Sequence, residues 1–171
     1  NLADTFAFSG TVSGATPITH VDQWRLTTNF SGTAEPIASN LERVDTGAQG
    51  TIGSAMTVSS GIFTFPVTGI WLVTARVGLS RAGDSRYQTL YIQATVNNSD
   101  YTTIAQNNSN INQSESGRTY ISNHNSSTMD VSNVTNVKVR FSVTPSQSDV
   151  LTHGDSANND TSFTFIRLGD T

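Results

Sequence analysis

The sequence predicts an all-β fold in one domain that spans residues 1–171. Several segments alternate apolar and polar side chains with a period of two, and none shows the period of a helix. Charged residues make up only 13% of the chain, roughly half the usual share, and Ser, Thr and Asn take their place. Hydroxyl-rich solvent faces of strands account for this composition. Turns that contain glycine or proline separate the segments, so we expect a sandwich or jelly roll of about eight to ten strands.

Strand-like segments recur along the whole chain. They cover residues 5–12, 21–26, 56–58, 63–65, 70–79, 87–97, 101–105, 118–122, 129–131, 137–144 and 161–168. Two long polar segments, residues 106–116 and 145–160, are predicted to be exposed loops because they are rich in Asn, Ser and Asp.

The most informative segment is residues 70–79, because its two faces differ. One face carries Trp71, Val73, Ala75, Val77 and Leu79. The opposite face changes from Ile70 and Leu72 at one end to Thr74 and Arg76 at the other. A strand that is apolar on both faces is buried on both faces. One face must contact the core of the domain, and we expect Ile70 and Leu72 to contact a neighbouring subunit.

Tyrosines mark the polar face of residues 87–97. Tyr87 and Tyr91 lie opposite Leu90 and Ile92 in the alternating pattern. An aromatic ring with a polar tip is typical of protein interfaces, so Tyr87 and Tyr91 join Ile70 and Leu72 as the predicted subunit-interface residues. The alternative interpretation is that Tyr87, Tyr91 and Tyr101 stack on sugar rings or lie free on the surface.

Composition excludes several classes of function. The net charge is −4 and Lys138 is the one lysine, so the basic surface needed for nucleic acid is missing. The chain has no cysteine, which excludes disulfides and cysteine-ligated zinc. No apolar run approaches the ~18 residues of a membrane span, so no membrane partner is expected. No nucleophile motif is present, and we expect the protein not to be an enzyme.

No cofactor or catalytic residue is predicted, and one metal site is kept as an alternative. His20, His124 and His153 lie in polar surroundings without metal-ligand spacing, so we interpret them as surface residues. Asp149, Asp155 and Asp160 fall in one predicted loop, and calcium favours several oxygen ligands. Their spacing matches no calcium-loop motif, so calcium is the lesser alternative.

Short motifs resemble a known family. Gly61 and Phe63 are followed by Gly69, Ile70 and Trp71, a pattern similar to that of the globular head of complement subcomponent q and the related tumour necrosis factor jelly rolls. Residues 7–9 (Ala-Phe-Ser) resemble the first strand of that family, and residues 162–164 (Ser-Phe-Thr) resemble its last strand, which pairs beside the first. The resemblance implies a jelly roll of two antiparallel sheets with about ten strands, which assembles as a homotrimer and has no catalytic residues.

A longer stretch is similar to one version of the family. Residues 22–43, here called the Trp24 stretch, resemble the form found in structural proteins of marine bacteriophages. The resemblance therefore implies a non-enzymatic virion protein, either a trimeric capsid decoration or head fibre or a tail-fibre knob. Its expected partners are its own copies, other virion proteins and a glycan or protein of the host surface. The alternative is a secreted trimeric recognition module that binds carbohydrate or a cell-surface protein.

Overall fold

The computed structural model describes residues 17–171, and these form twelve strands and no helix. The strands are β1 (Val21–Leu26), β2 (Thr28–Ser31), β3 (Leu41–Arg43), β4 (Thr57–Ser59), β5 (Ile62–Thr64), β6 (Gly69–Arg81), β7 (Ser85–Thr95), β8 (Thr102–Ile111), β9 (Thr119–Val131), β10 (Lys138–Pro145), β11 (Leu151–Asp155) and β12 (Ser162–Gly169). The predicted strand at residues 5–12, with the family-like residues 7–9, lies outside the described residues. Nowhere in residues 17–171 is there a helix long and apolar enough to span a membrane.

Two antiparallel sheets form the sandwich. One has seven strands in the order β2-β11-β6-β12-β1-β3, with β9 also paired to β6. The other has five strands in the order β4-β5-β10-β7-β8. The prediction of an all-β jelly roll of two antiparallel sheets is confirmed. Strand β12 pairs with β1 on one side and with β6 on the other.

The core lies between the two sheets and is rich in aromatic rings. On β6 the five residues from Trp71 to Leu79 that were predicted to share one face are all buried. Phe141 of β10 stacks on Phe163 of β12 with ring centroids 4.1 Å apart, which joins the two sheets at the centre. Phe63 packs edge-on against both of these rings. Such aromatic pairs stabilise the core beyond the apolar area they bury.

An ion pair and a cation–π contact hold the Trp24 stretch together. Strands β1 and β3 pair antiparallel, with Trp24 opposite Arg43 and Arg25 opposite Glu42. Arg25 donates to Glu42 at 2.5 Å, and the guanidinium of Arg43 lies 4.8 Å above the Trp24 ring. The stretch is therefore a packed part of the seven-stranded sheet.

Two predicted loops are wrong in part. Residues 106–111 belong to β8, which pairs with β7 at the edge of the five-stranded sheet. Their Asn and Ser side chains suit an edge strand that faces water, and Asn108 accepts a hydrogen bond from Thr89. Residues 151–155 form β11, which pairs with β2 and with the end of β6. Both segments are strands because their backbones pair with neighbouring strands, and polar side chains do not prevent this pairing.

Candidate interaction sites

The outer face of the seven-stranded sheet changes from apolar to polar along β6. Leu72 lies between Ile166 of β12 and Thr128 of β9, and Val21 of β1 continues the row beyond Ile166. Ile70, Leu72 and Ile166 are half-buried in the single chain. We call these three residues the face patch. Further along the strand, Arg76 is exposed.

A second apolar surface lies at the open edge of the sandwich. A groove of 280 Å³ runs between the edge strands β8 and β9. Its lining is Ala94, Thr95, Val96, Ile104, Thr128, Met129, Asp130 and Val137. Val96 is 77% exposed and Ile104 is 38% exposed. We call this surface the edge groove, and it adjoins the face patch because Thr128 borders both.

The four predicted interface residues lie on two different sheets. Ile70 and Leu72 belong to the face patch, whereas Tyr87 and Tyr91 lie on β7 of the five-stranded sheet. Tyr87 is 45% exposed and Tyr91 is half-buried. The structure therefore does not bring these four residues into one surface, and the interface role of each stays a prediction.

Tyr101 is poorly placed to stack on a sugar. The guanidinium of Arg140 lies 4.2 Å from the centre of its ring and covers one face. Burial raises the pKa of the Tyr101 hydroxyl, and the nearby charge of Arg140 partly offsets that rise. Arg140 also donates to Gln93 at 2.9 Å, so it is fixed over the ring.

A polar cleft of 320 Å³ opens at the other end of the outer face from the face patch. Its lining comes from strands β6, β9 and β11 and from the residue two before β12, and comprises Arg76, Gly78, Leu79, Tyr120, Ile121, Ser122, His153 and Asp160. β6 pairs with β12 only as far as Arg76 and with β11 only at Leu79 and Ser80. The break between these two pairings lies at the cleft.

Two rings and a hydroxyl form one wall of the cleft. The His153 ring stacks on the Tyr120 ring with centroids 5.3 Å apart and planes 27° apart. Nε2 of His153 lies 2.8 Å from the hydroxyl of Ser80, which is fully buried beneath it. Tyr120 is 67% exposed, so most of its ring faces solvent. The sequence analysis did not predict a role for Tyr120, because nothing in the residues around it in the sequence indicates that it lies beside His153.

The pKa of His153 predicts a modest pH dependence of stability. Burial lowers this pKa below its ordinary value; the carboxylate of Asp160 acts to raise it and the charge of Arg118 to lower it further. The folded chain thus binds this proton more weakly than the unfolded chain. The resulting stability is present above the unfolded pKa of about 6.5 and is lost as the pH falls from there through the lower folded value.

We therefore expect the melting temperature to fall between about pH 7 and about pH 5, where histidines titrate. The fall should be smaller in His153→Gln, which has no group that titrates in this range. Thermal unfolding of both proteins across the range measures the difference. Equal pH dependence in the two proteins would contradict the assigned role of His153.

Two of the three aspartates of the calcium alternative have structural partners, and the third lines the polar cleft. Asp149 pairs with Arg81 at 2.6 Å, and this bond lowers the pKa of Asp149. Asp155 accepts backbone hydrogen bonds from Ala157 and Asn158, which lower its pKa. Asp160 lines the polar cleft. In the described part of the chain, no three His, Cys, Asp or Glu side chains form a group that could hold a metal ion.

The fold is similar to that of solved structures. No protein-family model matches the chain, and no curated protein sequence matches it. A crystal structure of murine APRIL at pH 5.0 superposes with a TM-score of 0.62 at 12% identity, covering 87% of this chain and 98% of that one. The structure of Eiger TNF from S. frugiperda superposes with a TM-score of 0.64 at 13% identity, covering 91% and 96%. The chain has a tumour necrosis factor-like jelly-roll fold.

At these identities the likeness establishes the fold alone. The motif from Gly61 to Trp71 predicted a tumour necrosis factor-like jelly roll, and that fold is confirmed. The complement-q part and the marine-bacteriophage part of the resemblance stay predictions.

Proposed function

We propose that this protein is a homotrimeric recognition module that works outside the cell and binds its partner without catalysis. The observation that carries the proposal is the pair of different apolar surfaces, the face patch and the edge groove, on a tumour necrosis factor-like jelly roll. Murine APRIL and Eiger TNF, which share the fold, favour a recognition module over a virion protein.

The two surfaces support a ring of three copies. A cyclic trimer has heterologous contacts, in which one surface of each subunit meets a different surface of the next. The face patch offers Ile70, Leu72 and Ile166, and the edge groove offers the exposed Val96 and Ile104. The surfaces lie on either side of β9. Rotating a second copy about an axis near β9 therefore brings the edge groove of one chain towards the face patch of the other.

The positions of Glu35 and Glu42 give no support to an enzyme. Glu42 pairs with Arg25, and Glu35 accepts a hydrogen bond from Thr144 at 2.7 Å. Both carboxylates thus have structural partners, and they lie on different parts of the sandwich. Binding through outer surfaces is the function that we propose instead.

Charge placed in either surface tests the proposal. We expect Leu72→Arg and Ile104→Arg each to convert the trimer into folded monomers, because an unpaired buried charge at a contact costs several kcal/mol. Ser59→Arg on β4, at the far edge of the five-stranded sheet, is the matched control and should stay trimeric. Mass by light scattering and fold by circular dichroism measure the result. Trimers in both Leu72→Arg and Ile104→Arg would refute the assigned contact surfaces.

The virion assignment stays a prediction of the sequence. It depended on the Trp24 stretch, and the structure gives that stretch a structural role in joining β1 to β3. A location on the virion surface, with other virion proteins as partners, is accordingly not part of the proposed function.

A further inference from the structure

We infer that the polar cleft between β6, β9 and β11 binds a sugar residue of a glycan. The inference deepens the proposed function and rests on it, because it gives the recognition module a class of ligand. The cleft combines an exposed aromatic ring with convergent hydrogen-bonding groups on a rigid sheet, which is the general composition of a small-ligand site.

The aromatic component is Tyr120. A sugar ring presents C–H bonds on its faces, and an aromatic ring with an apolar face and a polar tip can stack on them. Tyr120 is 67% exposed, yet His153 stacks on it and Ser80 holds His153 at 2.8 Å. The tyrosine is thus supported from behind while most of its surface remains open to solvent.

The polar components match the mixed chemistry of sugar hydroxyls, which both donate and accept hydrogen bonds. Arg76 donates and Asp160 accepts, whereas Ser122 can do both. Arg76 is exposed, and the one hydrogen bond of its side chain within residues 17–171 goes to the backbone oxygen of Asn159 at 3.2 Å. Neither Arg76 nor Asp160 belongs to an ion pair in the described part of the chain. Their hydrogen-bonding capacity is therefore available to a ligand.

Gly78 provides the floor of the cleft. It lies on the outer face opposite Ser122, and the absence of a side chain leaves the space open. A Cβ at this position would come within 3.2 Å of the backbone oxygen of Asp160 and 3.6 Å of Cβ of His153. The volume of 320 Å³ is at the small end of ligand pockets, which suits one or two sugar units.

The cleft is separate from the proposed trimer contacts. All of its lining residues come from one chain, and Gly78 lies six residues along β6 from Leu72, or about 20 Å at the rise of a strand. A contact at the face patch can therefore form while the cleft stays open, and one trimer would present three clefts. Three linked sites would strengthen binding to a polymeric glycan without any new contact.

The test uses the whole chain labelled with ¹⁵N and five monosaccharides: glucose, galactose, mannose, N-acetylglucosamine and glucuronic acid. Mannitol is the control solute, since it has the hydroxyl groups but no ring. We expect at least one of the sugars to shift the amide signals of Gly78 and Ser122 in a saturable way, and mannitol not to do so. If none of the five shifts these signals at concentrations of about 0.1 M, where even weak binding is visible, the inference is overturned.

Substitutions locate the site. Tyr120→Ala and Arg76→Ala should each weaken binding about tenfold, which corresponds to the loss of one good contact. Tyr120→Phe should bind like the wild type, because it keeps the ring. Arg140→Ala, on the opposite sheet, is the matched control for Arg76→Ala and should also bind like the wild type. Unchanged binding in a folded Tyr120→Ala protein would overturn the assignment.

Failure of the cleft and failure of the trimer give different results. Leu72→Arg should keep the shifts of Gly78 and Ser122, because the cleft belongs to one chain, and should lose only the extra strength of binding to a polymeric glycan. A wild-type monomer that still binds the monosaccharide would contradict the trimer and leave the cleft standing. A wild-type trimer without the shifts would contradict the cleft alone.

Discussion

Trp71→Ala should lower the free energy of unfolding by about 3–5 kcal/mol per subunit. The Trp71 side chain is 1% exposed and packs against Phe65, with ring centroids 5.1 Å apart, and against His20 at 5.7 Å. Alanine would leave a cavity between these rings that the rigid sheets on either side cannot close. Urea unfolding at equal protein concentration measures the loss, because assembly raises the apparent stability of an oligomer.

Trp71→Phe is the control for this prediction. Phenylalanine keeps a ring against Phe65, and the indole Nε1 of Trp71 has no hydrogen-bond partner in residues 17–171, so no bond is lost. We expect Trp71→Phe to cost much less than Trp71→Ala. Wild-type stability in Trp71→Ala would show that the Trp71 ring is not part of the core.

Asp22→Ala is the second large effect, with an expected loss of about 2–4 kcal/mol. The Asp22 side chain is 2% exposed and accepts hydrogen bonds from the backbone N–H of Met56 at 2.8 Å and from Nε1 of Trp24 at 3.1 Å. Arg43 also donates to it, at 3.2 Å. Removing the carboxylate leaves the two buried N–H groups without an acceptor. The side chain of Arg43 is 31% exposed, so water can partly replace its lost partner, which keeps the loss below that of a fully buried ion pair.

Asp22→Asn separates the acceptor from the charge. Asparagine keeps one acceptor oxygen in a side chain of the same size, so its loss of stability should lie between those of wild type and Asp22→Ala. Urea unfolding of the three proteins gives the order. If Asp22→Ala unfolds at the wild-type urea concentration, then Asp22 does not hold β1, β3 and Met56 together.

The sequence predicted best those strands that have one apolar and one mainly polar face. In β10 and in most of β6 the side chains facing the core are apolar and those on the other face are mainly polar, so polarity alternates with every second residue. The second half of β8 and the middle of β9 were not predicted as strands, because both are rich in Asn and Ser on both faces. Such segments become strands because their backbones pair with β7 and β6. The pattern of side chains in the sequence does not indicate that pairing.

The face patch and the polar cleft also differ in how far the sequence could predict them. Two of the three face-patch residues could be predicted, because Ile70 and Leu72 interrupt an expected polar face on one strand. The polar cleft could not, because Arg76, Tyr120, His153 and Asp160 come from four separate segments that only the sheet topology brings together. Tyr87 and Tyr91 lie on β7 of the other sheet from Ile70, a separation that alternation along single strands does not reveal, and their interface role stays a prediction.

The most direct test of the proposed assembly is the mass of the wild-type chain in solution. Light scattering after size-exclusion chromatography should give the mass of three 18.3-kDa chains, and the same mass should persist on dilution to low micromolar concentration. Obligate interfaces bury large and mainly apolar areas, so a trimer held together by the face patch and the edge groove should resist such dilution. A folded protein with the mass of a single chain over the same range would contradict the central claim.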